Sequence, residues 1–380
     1  MNSRERVLTA LAHEEPDRVP FDLGGWSSTI ERIPYDRLKQ YLGINSPTNT
    51  FCRDHSILED EILEKLGVDT RYLHLDTKES GVIKGKIGQT TGDNSYVDEW
   101  GVRWAKPETS YYWDMIEHPL RSASAEDLER YEWPEPNEFG PLEGIEDQAR
   151  VLFEETDKAI VAEPFGAIFE QSMYMRSFAG FLADLHVNPD FATRLMQKVT
   201  QTLLPHIEEF VSRVGDYVQI VDIGDDLGMQ DRPLISPQIY RKLVKPFHKR
   251  VVDTIKAKTD ARVFFHTDGS VFQLIPDLID VGIDILSPVQ PLARDMESDR
   301  LKKMFGEQLA FHGGIDIQRV LPNGTPEEVG QEVKTRISAF GAGGGYIAAP
   351  AHNIQPDVPP ENMVALCKAV RRYGEYPIDG

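Results

Sequence analysis

Cysteine is nearly absent from the chain. Cys52 and Cys367 are the two present in 380 residues, distant and in no CxxC spacing, so neither a disulfide framework nor a thiolate metal cluster is expected. Clustered lysine and arginine are lacking as well. With 41 basic against 62 acidic residues the formal charge is −21 and the isoelectric point lies near 4.9. Nucleic acid, whose phosphates require concentrated basic side chains, is thereby excluded as a partner. No apolar run approaches the roughly 18 residues of a membrane span. The opening MNSRERVLTALAHEEPDRVPF carries Arg4, Glu5, Arg6, Glu14 and Glu15 in place of an apolar signal core. The chain therefore reads as cytoplasmic, with no membrane partner. Also missing is a GxGxxG turn: the first strand-like run leads into FDLGGWSST, with Gly24 and Gly25 adjacent, which argues against a doubly wound dinucleotide fold.

What is present is alternation. A short first helix is expected in SRERVLTALAH, capped by Ser3, with Val7, Leu8 and Leu11 at helical spacing. Eight short β-type runs follow: RVPFDL (Arg18–Leu23), RYLHL (Arg71–Leu75), AIVAE (Ala159–Glu163), YVQIVDI (Tyr217–Ile223), RVFFH (Arg262–His266), IDILS (Ile283–Ser287), LAFHG (Leu309–Gly313) and YIAAP (Tyr346–Pro350). Helical patterns separate most of them, such as PDFATRLMQKVTQTLLPHIEEFVSRV before the fourth and EEVGQEVKTRISAF before the eighth. Eight strands alternating with helices predict one α/β domain over 1–380, a (β/α)8 TIM barrel. The interval at about 77–157 is too long for one helix. Turn signals at Gly88, Gly92-Asp93 and Gly101 predict a β excursion inserted after the second strand, and SAEDLERYEWPEPNEFGPLEG predicts a capped short helix with a proline-rich connector. This insertion is either a lid or a rigid cover over one barrel end.

Barrel chemistry sits where strands end. Those positions hold Gly24-Gly25-Trp26, Asp76, Glu163, Asp222 with Asp225 and Asp226, His266 with Asp268, Ser287 with Gln290, His312 with Asp316, and His352. A single Asp or His there caps a helix as readily as it binds a ligand, but three histidines and several carboxylates converging on one rim point to a site. Asp225 is as readily a cap as a site residue, Asp316 reads as a turn or cap aspartate, and Ser287 before Pro288 as a bend. His74, inside an apolar run, is expected to be a satisfied core histidine. His13, His118, His186 and His248 are expected on the surface.

Laid out this way, the chain resembles the uroporphyrinogen decarboxylase superfamily, in particular its corrinoid-dependent methyltransferases, including the coenzyme M methyltransferases. The resemblance is carried by RERVLTALAHEEPDRVPF, DEWGVRW, GDDLGMQ, FFHTDGSVFQLIPDLIDVGIDILSPVQ, AFHGGID and AAPAHNIQPDVPPENM. It implies a barrel with its site at the strand ends and makes a homodimer plausible. In uroporphyrinogen decarboxylases an arginine-rich RQAGRY loop meets the carboxylates of the substrate; here that loop reads FDLGGWSSTIERIP, without the arginine pair. The methyltransferase branch binds zinc through a His-x-Cys pair and a later Cys. By resemblance the histidine is His266, the first cysteine is replaced by Asp268, and HNIQPDVPPEN puts His352 in place of the second.

Two histidines and a carboxylate make a harder, more Lewis-acidic zinc site than one rich in thiolate, suited to polarising an oxygen as a C–O bond breaks. The expected activity is demethylation of a methoxylated or other small-molecule methyl donor, with the methyl group passing to a separate corrinoid protein. DLHVNPD around His186 lacks the glycine of the cobalamin-ligating DxHxxG motif, so the cobalamin should be carried by that partner. The metal ligands implied are His266, Asp268 and His352. Glu163 and Asp226 are candidates for a further ligand or for the acid near the leaving oxygen, and Trp26, Trp100, Phe165 and Tyr174 for an aromatic pocket. Two alternatives stay open: a metal-free decarboxylase using His266 and Asp226 as acid and base, and an inactive barrel serving as an accessory subunit.

Overall fold

The computed structural model describes residues 1–75 and 95–378. Seven parallel strands form one curled sheet: β1 (Thr70–Leu73), β2 (Ala159–Ala162), β3 (Ile220–Gly224), β4 (Arg262–His266), β5 (Ile285–Ser287), β6 (Ala310–His312) and β7 (Tyr346–Ile347), hydrogen-bonded in chain order. They coincide with seven of the eight runs expected. The remaining run, Arg18–Leu23, makes a single parallel bridge, Phe21 to Ala348. It nevertheless closes the barrel. Asp22 N–H donates to Ala348 O and Ala348 N–H to Pro20 O, both at 2.9 Å, while on the other side Asp69 N–H donates to Phe21 O at 2.8 Å. Proline at position 20 removes one donor from this stave, which accounts for its short pairing.

Closure is reinforced by one buried carboxylate. Asp69 receives Arg6 at 2.7 Å, both terminal nitrogens of Arg18 at 2.7 and 2.8 Å, and the N–H of Phe21 at 2.9 Å. First helix, first stave and β1 are thus held to one another. The first helix, α1 (Ser3–Leu11), is capped by Asn2 in a reciprocal box with Glu5, so Ser3 is its first residue and not its cap. Val7 and Leu11 plug the barrel floor against Ala159, Ile220, Phe264, Ile285 and Ile347, whereas Leu8 lies exposed. Outside the sheet, helices bury the larger core; Pro189–Val214 and Pro326–Phe340 fall where their periodicity placed them.

Three antiparallel strands, Ser95–Val97, Arg103–Ala105 and Asp114–Glu117, form the described part of the excursion. Gly101 turns the first pair at a positive φ of 74°. The signals at Gly88 and Gly92-Asp93, like Asp76, lie outside the described residues. A short helix (Asp127–Arg130), a 3₁₀ turn (Pro136–Phe139) and a helix (Ile145–Glu155) return the chain to β2.

Candidate active site and metal centre

Strand β4 delivers His266 at its last residue, and the turn after it delivers Asp268; His352 comes from the loop after β7. Ligand atoms of all three lie within 4.8 Å of one another. His352 Nε2 is 4.0 Å from Asp268 Oδ2, and the two imidazoles stand 6.1 Å apart, centre to centre. Gly224, level with His266 in the sheet, makes the room: a Cβ there would come within 2.7 Å of His266 O and 2.8 Å of its Cβ.

The trio fits a cation. The Nδ1 atoms of His266 and His352 are buried and have no hydrogen-bond partner among the described residues, and the Asp268 carboxylate caps no helix. The residues downstream instead start a 3₁₀ turn at Phe272, and Asp268 contributes its backbone N–H, donated to Asp226 Oδ1 at 2.8 Å. Two borderline nitrogens and one hard oxygen are a donor set that suits a divalent metal ion. Asp226 stands behind them, 3.9 Å from His266 Nε2; burial and the neighbouring Asp268 charge push it up to about 6.

His266 is at the same time one wall of a cavity of about 130 Å³ in the barrel mouth. Trp26, Phe51, His74, Glu163 and Phe165 line it, with Asp222 on its floor. An engineered void of about 150 Å³ accepts benzene, so the space is that of one small ring. Trp26 meets Phe165 edge-on at 5.5 Å and stacks on His55 at 5.3 Å. Phe165 holds a positive φ of 45°, a strained backbone for a bulky residue that aims the loop after β2 inward. Glu163 accepts Trp26 N–H at 2.6 Å; burial and the charge of Asp22 raise it to about 8, so it carries its proton at neutral pH. Asp222 is likewise pushed well up by burial, Glu163 and Asp22. No Lys or Arg lines this cavity among the described residues.

Several sequence expectations need correcting here. His74 is no satisfied core residue: it lines the cavity, stacks on Phe51 at 4.4 Å, and burial lowers it to about 4, leaving a neutral ring 3.8 Å from Glu163. His248 is buried, not exposed, with Nε2 2.8 Å from Asp225 and Nδ1 3.0 Å from Tyr240. Asp225 is a cap, but of the earlier helix Phe169–Arg176 and not of the segment that follows it, receiving the N–H groups of Ile168, Phe169 and Glu170 at 2.7–2.8 Å. Asp316 accepts Gln318 N–H at 2.7 Å within its turn. His312 lies beneath the mouth, between Ser287 Oγ at 2.9 Å and Asp22 Oδ2 at 2.8 Å. Asp22 also receives Tyr72 and Thr70; although burial opposes its charge, these bonds and His312 hold it below the ordinary range. Trp100 and Tyr174 stay out of this cavity and line an adjoining one, together with Glu170, which sequence reading overlooked because it sits inside a helix and not at a strand end.

The family model described as uroporphyrinogen decarboxylase (URO-D) matches residues 113–373, well over half of the chain. The chain belongs to the uroporphyrinogen decarboxylase family. Within that family, the uroporphyrinogen decarboxylase of Coxiella burnetii (strain Dugway 5J108-111) is 23% identical over 279 residues, covering 70% of this chain and 72% of its own. That of Geobacter sulfurreducens is 24% identical over 270 residues, covering 69% and 73%. Among solved structures, a methyltransferase from Methanosarcina mazei superposes with a TM-score of 0.65 at 17% identity, over 98% of this chain and 99% of its own. At that identity the likeness is one of fold, and members of one fold family can run different chemistries. No described helix is long and apolar enough to cross a membrane.

Proposed function

We propose that this family member is a corrinoid-dependent methyltransferase of the demethylase type, removing a methyl group from the oxygen of a small methoxylated donor. One observation carries the reading: His266 belongs both to the His266–Asp268–His352 trio and to the wall of a ring-sized, aromatic-lined cavity. A zinc ion held there would supply Lewis acidity toward the ether oxygen, and the reduced cobalt of a corrinoid on a separate protein would supply the electron pair that takes the methyl group. The chain's own residues do the rest. Trp26 and Phe165 hold the ring, and the neutral His74 adds no charge beside it. As the C–O bond breaks, its electron pair stays on oxygen, and Glu163, protonated at neutral pH, stands on the same cavity wall to deliver a proton to it. Asp226 orients the Asp268 turn through its backbone N–H.

Porphyrinogen decarboxylation, the activity named for the relatives, fits this cavity less well: a tetrapyrrole is several times larger than one ring, and its carboxylates find no Lys or Arg on the described walls. The deciding measurement combines metal analysis with methyl transfer to cob(I)alamin, followed by absorbance with methoxylated aromatics. The purified chain should hold one zinc; His266→Ala and His352→Ala should lose it together with activity, by roughly 100-fold or more. Glu163→Gln should keep the metal and lose turnover by about 100-fold or more. A metal-free protein fully active on a carboxylated substrate would overturn the reading in favour of the decarboxylase, and inertness on every methyl donor and acid in favour of an accessory barrel.

A further inference from the structure

Behind the wall formed by Trp26, Phe165 and Glu170 lies a second cavity of about 240 Å³, between the barrel mouth and the antiparallel excursion. Its aromatic content is high. Trp104 meets Tyr174 edge-on at 5.3 Å, and Trp100 packs against Phe139 at 5.3 Å. Three carboxyl groups also face it, Asp98, Glu99 and Glu170. Among the described residues one cationic side chain, Arg53, lines it, lying 4.3 Å over the Trp104 ring and 5.7 Å over Tyr96. The protein thus already seats a cation against these faces.

Two residues on the walls of this cavity each carry a buried polar atom that is unsatisfied among the described residues. Glu99 Oε2 and Gln171 Nε2 have no hydrogen-bond partner among the described residues, and Gln171 is 9% exposed. The other acids are engaged: Asp98 accepts Val102 N–H at 2.8 Å and Trp104 Nε1–H at 2.7 Å, and Glu170 accepts Tyr174 Oη–H at 2.5 Å. An orphaned acceptor and an orphaned donor on the walls of one aromatic cavity cost stability unless a ligand meets both. Burial holds Glu99 up at about 8, and a cation beside it favours its charged form. Gln171 asks for an acceptor oxygen.

We propose that this second cavity binds a small organic cation, a quaternary or tertiary ammonium whose head group lies among the aromatic faces beside Glu99 and whose oxygen accepts from Gln171. Ring quadrupoles, with a Glu99 carboxyl that ionises when a cation sits beside it, select a diffuse ammonium charge over a neutral group of the same shape. Because Trp26, Phe165 and Glu170 line both cavities, a molecule whose ammonium occupies the second presents its other end toward His266. The inference rests on the methyl-transfer reading only in making that molecule the methyl donor; binding itself needs neither metal nor corrinoid.

Choline and its neutral isostere 3,3-dimethylbutan-1-ol are the probes, titrated against the full chain with and without a chelator by calorimetry and tryptophan fluorescence. Choline should bind about tenfold or more tightly than the alcohol. Glu99→Gln should weaken choline about fivefold or more and leave the alcohol unchanged, whereas Gln171→Ala should weaken both probes about fivefold or more, since both carry the oxygen; both variants should keep the wild-type circular dichroism. Should either variant fail to fold, Trp104→Phe, which keeps an aromatic ring but weakens the cation site, should show the same selective loss as Glu99→Gln. Equal affinity for both probes, or no choline binding at tens of millimolar, overturns the assignment. The two readings fail separately. Choline bound by a chain that transfers no methyl group refutes the methyltransferase alone, and turnover of neutral methoxylated rings by a chain that ignores choline refutes the ammonium site alone.

Discussion

Glu99 and Glu163 sit in adjoining cavities that share the Trp26–Phe165 wall, and burial lifts both to about 8, from 4.5. For an acid the consequence has a definite sign. Below pH 4.5 the group is protonated whether the chain is folded or not; between 4.5 and 8 the unfolded chain gains by ionising while the folded one does not, so stability falls as pH rises. Around Glu99, Asp98 and Glu138 add to this and Arg53 opposes it. Glu99→Gln removes the titration and keeps the shape. Its melting temperature should match wild type near pH 5 and exceed it by a few degrees at pH 8, measured by calorimetry without added ligand; a constant difference across that range would refute the buried neutral acid. At this scale sequence reading was partial. Position after a strand flagged Glu163, His266, Asp268 and His352, because in a barrel that position fixes where a side chain points. It gave no hint of Glu99, which a loop of the excursion buries, nor of Glu170, which lies in the first turn of the helix that Asp225 caps. His74 misled because apolar neighbours in sequence say nothing about which face of the strand end opens into a cavity.

At the scale of elements, the strands were legible and the barrel seam was not. Alternation with amphipathic helices placed β1 to β7 within a few residues of where they lie, since each strand is buried on both faces and reads as a short apolar run. The first stave has the same composition, but Pro20 and a single parallel bridge keep its ladder short, and the Asp69 side chain reinforces the few backbone bonds that hold it. That reinforcement is testable. Asp69→Asn retains size and one acceptor but leaves Arg6 and Arg18 without their buried counter-charge, a break that costs about 3–5 kcal/mol. Chemical denaturation should show a midpoint lowered accordingly, with little change in slope. Hydrogen exchange should rise first at the amides of Asp22 and Ala348, which the seam protects. Unchanged protection there would mean the ladder holds without the clamp. Asn2, missed as the cap of α1, shows the ordinary limit on boundaries: Asn and Ser are adjacent, both cap well, and only the observed dihedrals decide.

For the whole molecule, the metal trio links distant parts of the chain: His266 and Asp268 follow β4, and His352 follows β7, next to the seam where β7 meets the first stave. A cation bound by all three would therefore join opposite arcs of the barrel mouth in the folded state only. Binding to the folded state alone stabilises it by about 2.7 kcal/mol at a free concentration 100 times the dissociation constant. Zinc should thus raise the unfolding temperature of the chelator-treated chain by several degrees, with the rise growing with the logarithm of zinc concentration. His352→Ala should abolish the rise with little effect on the metal-free melting point, because His352 is a quarter exposed and makes no hydrogen bond through Nδ1 among the described residues. Asp268→Ala should do the same if the carboxylate is a ligand, and should reduce the rise only in part if it acts from behind. An equal rise in wild type and His352→Ala would place the zinc elsewhere and remove the ground for a metal at this rim.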